Sequence, residues 1–176
     1  MPEVNVLLFA FLLNVPWELL QISLYRDMVA APHWRGTEIC MIASLGDAII
    51  AVVAYSIVSG VARSRYWVFA ASPRLIAAFA ACDTALSVLV EEVSTKYLER
   101  WTYAPAMPIV PLLGIGLTPL LQPILLSLIT IWFVRRQLEP ERNRLCETSD
   151  KTATTPKHEC TSAAEDLSNS DWQSPP

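Results

Sequence analysis

Three carboxylic acids, Glu18, Asp47 and Asp83, each lie deep inside a long apolar run of the chain. No lysine or arginine occupies the interior of those runs to balance them. In a bilayer, one unpaired carboxylate at the centre of a helix costs about 2.5 to 3.5 kcal/mol on insertion scales. Shared protons, hydrogen bonds to neighbouring amides, a bound cation or a water-filled cavity would relieve that cost, and each of these describes a site. A carboxylic acid held neutral in an apolar cavity is also the donor that protonation of a carbon–carbon double bond requires. Glu18 is the first candidate for that donor, with Asp47 or Asp83 as its partner.

Helical spacing gives these acids polar company. Asn14, Glu18 and Gln21 follow i, i+4, i+7; Asp83, Ser87 and Glu91 follow i, i+4, i+8; Thr118 and Gln122 follow i, i+4. Ser44, Asp47, Ala51 and Ala54 make a stripe small enough for close helix approach. With helices alternating in direction, Glu18, Asp47, Asp83 and Gln122 fall within about one helical turn, about 5 Å, of a common midplane. The stripes converge on the bundle interior and open toward Glu91, Trp101 and Tyr103. Asn14, Gln21, Glu91, Trp101, Tyr103 and Gln122 are therefore the candidate substrate-binding residues, the two rings offering π faces to a developing carbocation. The plainer reading is that these groups only join helices by hydrogen bonds. It suits the amides better than the acids, because serine or asparagine would bond at lower insertion cost. Glu92, Lys96 and Glu99 read as solvated interfacial charges, and His33 as a loop histidine.

The elements that must position these residues are expected to be transmembrane helices. Residues 5–25 supply twenty-one residues, about 31 Å of helix, enough for a hydrocarbon core. Glu3 at the start, and Pro16, Trp17 and Glu18 within the run, argue for an uncleaved span rather than a signal peptide. Further spans are expected over about 39–60, 75–95 and 109–134, the last irregular because of Pro111, Gly114, Gly116, Pro119 and Pro123. The short piece YWVFAAS between the second and third is expected at the interface, with Tyr66 and Trp67 in an aromatic belt. The fold class is thus all-α, a four-transmembrane-helix bundle over residues 1–136. From Gln137 to Pro176 the composition turns polar and is expected to be disordered.

Arginine and lysine placement gives an orientation. Arg63, Arg65, Arg74, Arg135, Arg136, Arg142 and Arg144 flank one end; Arg26, Arg35, Lys96 and Arg100 flank the other. Both termini are expected in the cytoplasm of a multi-pass inner-membrane protein. The hydrophobic fraction of 53% and mean hydropathy of +0.36 agree with a chain whose main partner is the lipid bilayer. No basic stripe suggests nucleic acid. Cys40, Cys82, Cys146 and Cys160 form no CxxC pair, so neither a disulfide nor a metal is expected. No glycine-rich nucleotide loop, HExxH or haem CxxCH is present, and no cofactor is expected.

The segments LNVPWELLQISLY, ASLGDA and RWTYAPAMPIVPLLGIGLTPLLQ resemble a widespread group of small, uncharacterised four-helix bacterial inner-membrane proteins, over residues 5 to about 134. A more distant likeness is to integral-membrane carotenoid enzymes, the small lycopene cyclases and carotenoid hydratases. Those carry a late acidic residue in one helix, a Trp-x-aromatic loop, a glycine and a proline-acidic motif opening the next helix. The counterparts here are Glu91, Trp101 with Tyr103, Gly116, and Pro119 with Gln122; Pro16-Trp17-Glu18 is similar to the last motif. Gln122 stands where a carboxylate would be, and four spans are fewer than a complete cyclase has. The resemblance implies an enzyme acting on a lipophilic, isoprenoid- or carotenoid-like substrate. Two other classes stay open. One is a proton- or cation-coupled carrier, for which four spans imply a homodimer; the other is a non-catalytic scaffold or assembly factor.

Overall fold

The computed structural model describes residues 1–29, 31–69 and 72–152, with side chains as far as residue 139. Helix α1 (Pro2–Gln21) opens on Pro2, whose fixed φ suits the first turn, and ends in a 3₁₀ turn, Ile22–Leu24. A single turn, α2 (Arg26–Val29), leads to the long α3 (His33–Val61). Helix α4 (Pro73–Glu92) is capped by Ser72, whose hydroxyl accepts from the Leu75 N–H at 3.4 Å, with Pro73 behind it. It runs out through a π-helical turn, Val93–Tyr97. Helix α5 spans Leu117–Thr152.

Four segments are long and apolar enough to cross a membrane: Pro2–Leu24, His33–Val61, Pro73–Tyr97 and Leu117–Glu139. Helix α1 packs on α3 and α5, and α4 on α5 and α3, so the four close into a ring. One end carries Arg65 and Arg135 (the arginine end), the other Trp101 and Tyr103 (the aromatic end). Outside the ring, leucines and isoleucines stand open, Leu20 at 80% exposure, a surface that water would not tolerate over such an extent.

The α1–α3 pair is the closest in the ring. Ser44, Ala48, Ala51 and Ala54 are buried inside this one chain, beside Val6 and Ala10 of α1 in the core. Most of the small-residue stripe is therefore packed within this one chain. At Gly36 the approach is tighter still, since an added Cβ would meet Ile22 Cδ1 at 2.8 Å.

Three expectations need correction. Trp67 is 3% exposed and sits in the core, not in an interfacial belt. Its ring stacks on Tyr55 at 5.2 Å and lies 6.1 Å from Phe79, and its indole N–H donates to Ser59 Oγ at 3.1 Å. The Tyr55 hydroxyl donates in turn to the Arg65 carbonyl at 2.7 Å, so ring stacking and polar partners outweigh the lipid interface. Tyr66 does stay exposed. Secondly, residues 109–116 are not the start of the last helix but a two-stranded hairpin. Strand β1 (Ile109–Val110) pairs antiparallel with β2 (Ile115–Gly116), Ile109 opposite Gly116. Pro108 and Pro111 cannot donate to a helical ladder, and Gly114 turns the chain at φ +67. Thirdly, α5 continues through the polar segment as far as Thr152, carried by helix formers such as Arg135, Gln137, Leu138 and Glu139. The rest of the segment expected to be disordered, residues 153–176, lies outside the described residues.

Candidate functional site

Gln122, on α5, is the hub where α1, α3 and α5 meet. Its Nε2 lies 2.7 Å from Asn14 Oδ1, 2.9 Å from Glu18 Oε1 and 2.9 Å from Asp47 Oδ2. Its Oε1 accepts from Gln21 Nε2 at 3.1 Å, and the same nitrogen donates to Glu18 Oε1 at 2.8 Å. Asn14 Nδ2 is turned back to the Ala10 carbonyl at 2.8 Å. The i, i+4, i+7 spacing of Asn14, Glu18 and Gln21 presents all three to Gln122 from one face of α1, as the sequence suggests.

The two amides satisfy this cluster's oxygens: the N–H groups of Gln122 serve Asn14 Oδ1 and Asp47 Oδ2, and those of Gln21 serve Glu18 Oε1 and Gln122 Oε1. What the cluster holds, among the described residues, is two acids and no basic side chain. The Glu18 and Asp47 oxygens each lie 2.9 Å from Gln122 Nε2, so they are within twice that distance of each other. Like charges that close favour a proton kept on one of the two carboxyls.

Asp83 reaches a different partner. It is 5% exposed, and its Oδ2 contacts the Ser127 hydroxyl of α5, which also contacts the Pro123 carbonyl. One hydroxyl hydrogen cannot serve two acceptors. A neutral Asp83 donating to Ser127, with Ser127 donating to Pro123, satisfies every atom. The acids therefore fall into two groups on one cavity, rather than the single cluster expected from their depth.

A third group stands at the aromatic end. Glu91 Oε1 accepts from the Tyr103 hydroxyl at 2.6 Å and from Trp101 Nε1 at 3.3 Å. Trp101 is edge-on to Tyr25 at 6.4 Å, and Tyr103 tilts against Tyr25 at 5.8 Å. The loop is held there by backbone bonds from Arg26 N–H to the Thr102 carbonyl and from Ala104 N–H to the Leu24 carbonyl, both 2.9 Å. Asp27 adds a clasp by accepting from the Thr102 N–H at 2.8 Å. Burial and then the Glu91 carboxyl hold both the Tyr25 and Tyr103 phenols above their ordinary range, so both remain O–H donors.

The three groups surround one cavity of about 360 Å³, within the range that takes a small ligand. Glu18, Asp47, Asp83 and Glu91 all reach its wall, as do Asn14, Gln21, Gln122 and Trp101. Arg100, 5.9 Å from the Trp101 ring centre, is the one basic residue on that wall among the described residues. Tyr103 stands behind Glu91 rather than on the wall. Thr118 turns away to Met107 Sδ at 3.3 Å. Glu92 is spent in an exposed pair with Lys96 at 2.7 Å, as a solvated interfacial charge would be.

Sequence reasoning missed Ser127 and Tyr25. For Ser127 the signal was available: Pro119, Pro123, Ser127 and Thr130 continue the Gln122 face of α5 at helical spacing. Tyr25 gave no such signal, since its place depends on a pairing with Tyr103 across the chain.

Fold and site together define a four-helix bundle, suited by length and composition to a membrane, around an acid-lined cavity with an aromatic end. No known family model, curated protein or solved structure matches this chain.

Proposed function

We propose that this is a multi-pass inner-membrane protein, termini in the cytoplasm, whose buried acids protonate a double bond of an isoprenoid- or carotenoid-like substrate. The observation that carries this reading is the crowding of two carboxyls, Glu18 and Asp47, on one nitrogen of Gln122, with no basic side chain in the cluster among the described residues. Two carboxyls held that close favour a proton kept on one of them, which puts a carboxylic acid beside the cavity, the requirement for acid attack on an alkene. Glu18 gives its proton to one carbon of the double bond. The π pair becomes the new C–H bond, and the neighbouring carbon becomes a cation. The Trp101 and Tyr25 rings stand at the same cavity to stabilise positive charge. Asp47, as carboxylate, removes a proton from the carbon next to the cation, so the double bond has moved; return of that proton from Asp47 to Glu18 restores the pair, and no co-reactant is consumed.

The test is a lipid profile. Recombinant membranes carrying the protein should show an altered carotenoid or prenyl-lipid pattern, and Glu18→Gln should abolish the change at unaltered protein level. An unaltered pattern with the wild-type chain contradicts the reading. A second reading, cation-coupled transport, is favoured by Gln21 Oε1, a buried oxygen on the cavity wall without a hydrogen-bond partner. It requires ion- or pH-dependent flux in liposomes, which the catalytic reading does not.

A further inference from the structure

The wall of the cavity is unevenly open. Every residue that α1 and α5 contribute to it is buried or half-buried. Three helical residues on the wall are exposed: Ile42, at 60%, and Gly46 on α3, and Val90, at 46%, on α4. All three are apolar, and they belong to the two helices that pack together least closely of the neighbouring pairs. What joins α3 and α4 firmly is the ring cluster at the arginine end, where Tyr55 stands edge-on to Phe79 at 6.3 Å. Toward the aromatic end the side of the ring is thus left ajar, and its lips carry no charge.

Gly46 has no packing reason to be glycine. A Cβ there would meet nothing within 4 Å, unlike Gly36. Its φ is not in the left-handed region. Glycine inside a helix is less stable there than alanine, so the position gives up stability without gaining a contact. The gain is width. Gly46 precedes Asp47, so whatever passes its bare backbone arrives at the acids around Gln122.

We infer that the cavity opens sideways to the lipid between α3 and α4, that an unsaturated hydrocarbon chain enters there end first, and that Gly46 sets the width it must fit. This rests on the proposed function and deepens it by naming how the substrate is gripped. A linear polyene long enough to cross the whole hydrocarbon core, about 30 Å, has no room to lie whole in about 360 Å³. One end group reaches Asp47 and Glu18, and the remainder stays in the bilayer. The substrate class is accordingly a long lipophile with a reactive double bond near an unbranched or slim terminus, and its far end is indifferent.

The experiment uses the full chain in phosphatidylcholine vesicles containing a fatty acid with a terminal diazirine, photolysed and mapped by mass spectrometry. The wild type should be labelled inside the cavity, at Glu18 or Asp47, as well as at Ile42 and Val90. Gly46→Leu should lose the interior label several-fold, and Val90→Trp, narrowing the facing lip, should do the same. Gly60→Leu is the control: Gly60 also has open space around it but is not on the cavity wall, so its label should match wild type. Absence of interior label in wild type, or equal interior label in Gly46→Leu and Gly60→Leu, overturns the inference. The readout is independent of turnover. Should the label fall in Gly46→Leu while membrane lipids are unchanged by the wild-type chain, the opening stands and the catalytic reading fails. The converse result separates them the other way.

Discussion

At the scale of single residues, Gln122 and Glu18 have opposite jobs that substitution should pull apart. Gln122 Nε2 lies against three oxygens, and of these Asn14 Oδ1 and Asp47 Oδ2 depend on it, Glu18 Oε1 accepting also from Gln21. Replacing it with leucine leaves the first two without a donor, at about 1 to 3 kcal/mol for each group left unsatisfied. Thermal unfolding in detergent should register a large loss, and a stability near wild type would refute the hub. Glu18→Gln should do the reverse, since an amide oxygen accepts from the same neighbours without placing a second carboxyl beside Asp47. We expect unfolding within about 1 kcal/mol of wild type, the usual spread of a tolerated substitution, together with complete loss of any lipid conversion. Stability falling in step with activity would instead assign Glu18 to holding helices together. The identity of these residues was legible in the sequence, because buried acids among apolar residues stand out by cost alone. Their division into the Gln122 group and the Asp83–Ser127 pair was not. Depth along a helix axis follows from residue number, whereas direction around the ring depends on which helix lies next to which.

At the scale of elements, the helices were readable from apolar runs and the connections were not. Three of the four spans agree with the sequence reading to within a few residues at most ends, the start of α3 at His33 being the exception. The fourth begins late because Pro111 and Gly114 redirect residues 109–116 into a hairpin whose strands are two residues each. Strands that short carry no periodic signal. The hairpin tip is anchored by Lys96, which donates to the Leu113 carbonyl at 3.2 Å while pairing with Glu92. Gly114, at φ +67, makes that turn possible. Gly114→Val should cost about 1 to 2 kcal/mol, the usual penalty of the left-handed region for an L side chain. It should appear as a lower melting temperature in detergent, and an unchanged one would mean the hairpin adapts freely. Trp67 carries a related lesson. A seven-residue apolar piece between arginines looks interfacial by composition, but the Tyr55 ring and Ser59 hydroxyl offered the indole better partners inside.

At the scale of the whole molecule, the ring of four helices is tied at one end and lined by polar groups toward the other. Aromatic packing of Tyr55, Trp67 and Phe79 ties the arginine end. Glu91 and Trp101 line the cavity toward the aromatic end, with Tyr103 behind Glu91. The proposed orientation puts that end outside the cytoplasm. Single cysteines replacing Trp34 and Tyr66, both exposed and at opposite ends, test it in a background lacking the native thiols. A membrane-impermeant maleimide added to intact cells should label the first and spare the second; the reverse pattern inverts the topology.

The most direct test is infrared spectroscopy of the reconstituted protein at neutral pH, in ordinary and heavy water. Protons retained on buried carboxyls should give a carboxylic C=O band that shifts on deuteration, with part of it lost in Asp83→Asn and part in Glu18→Gln or Asp47→Asn. A spectrum containing only carboxylate bands would mean that these side chains are fully ionised. The crowding of Glu18 and Asp47 would then be tolerated with no proton between them, and no acid would be available for the substrate.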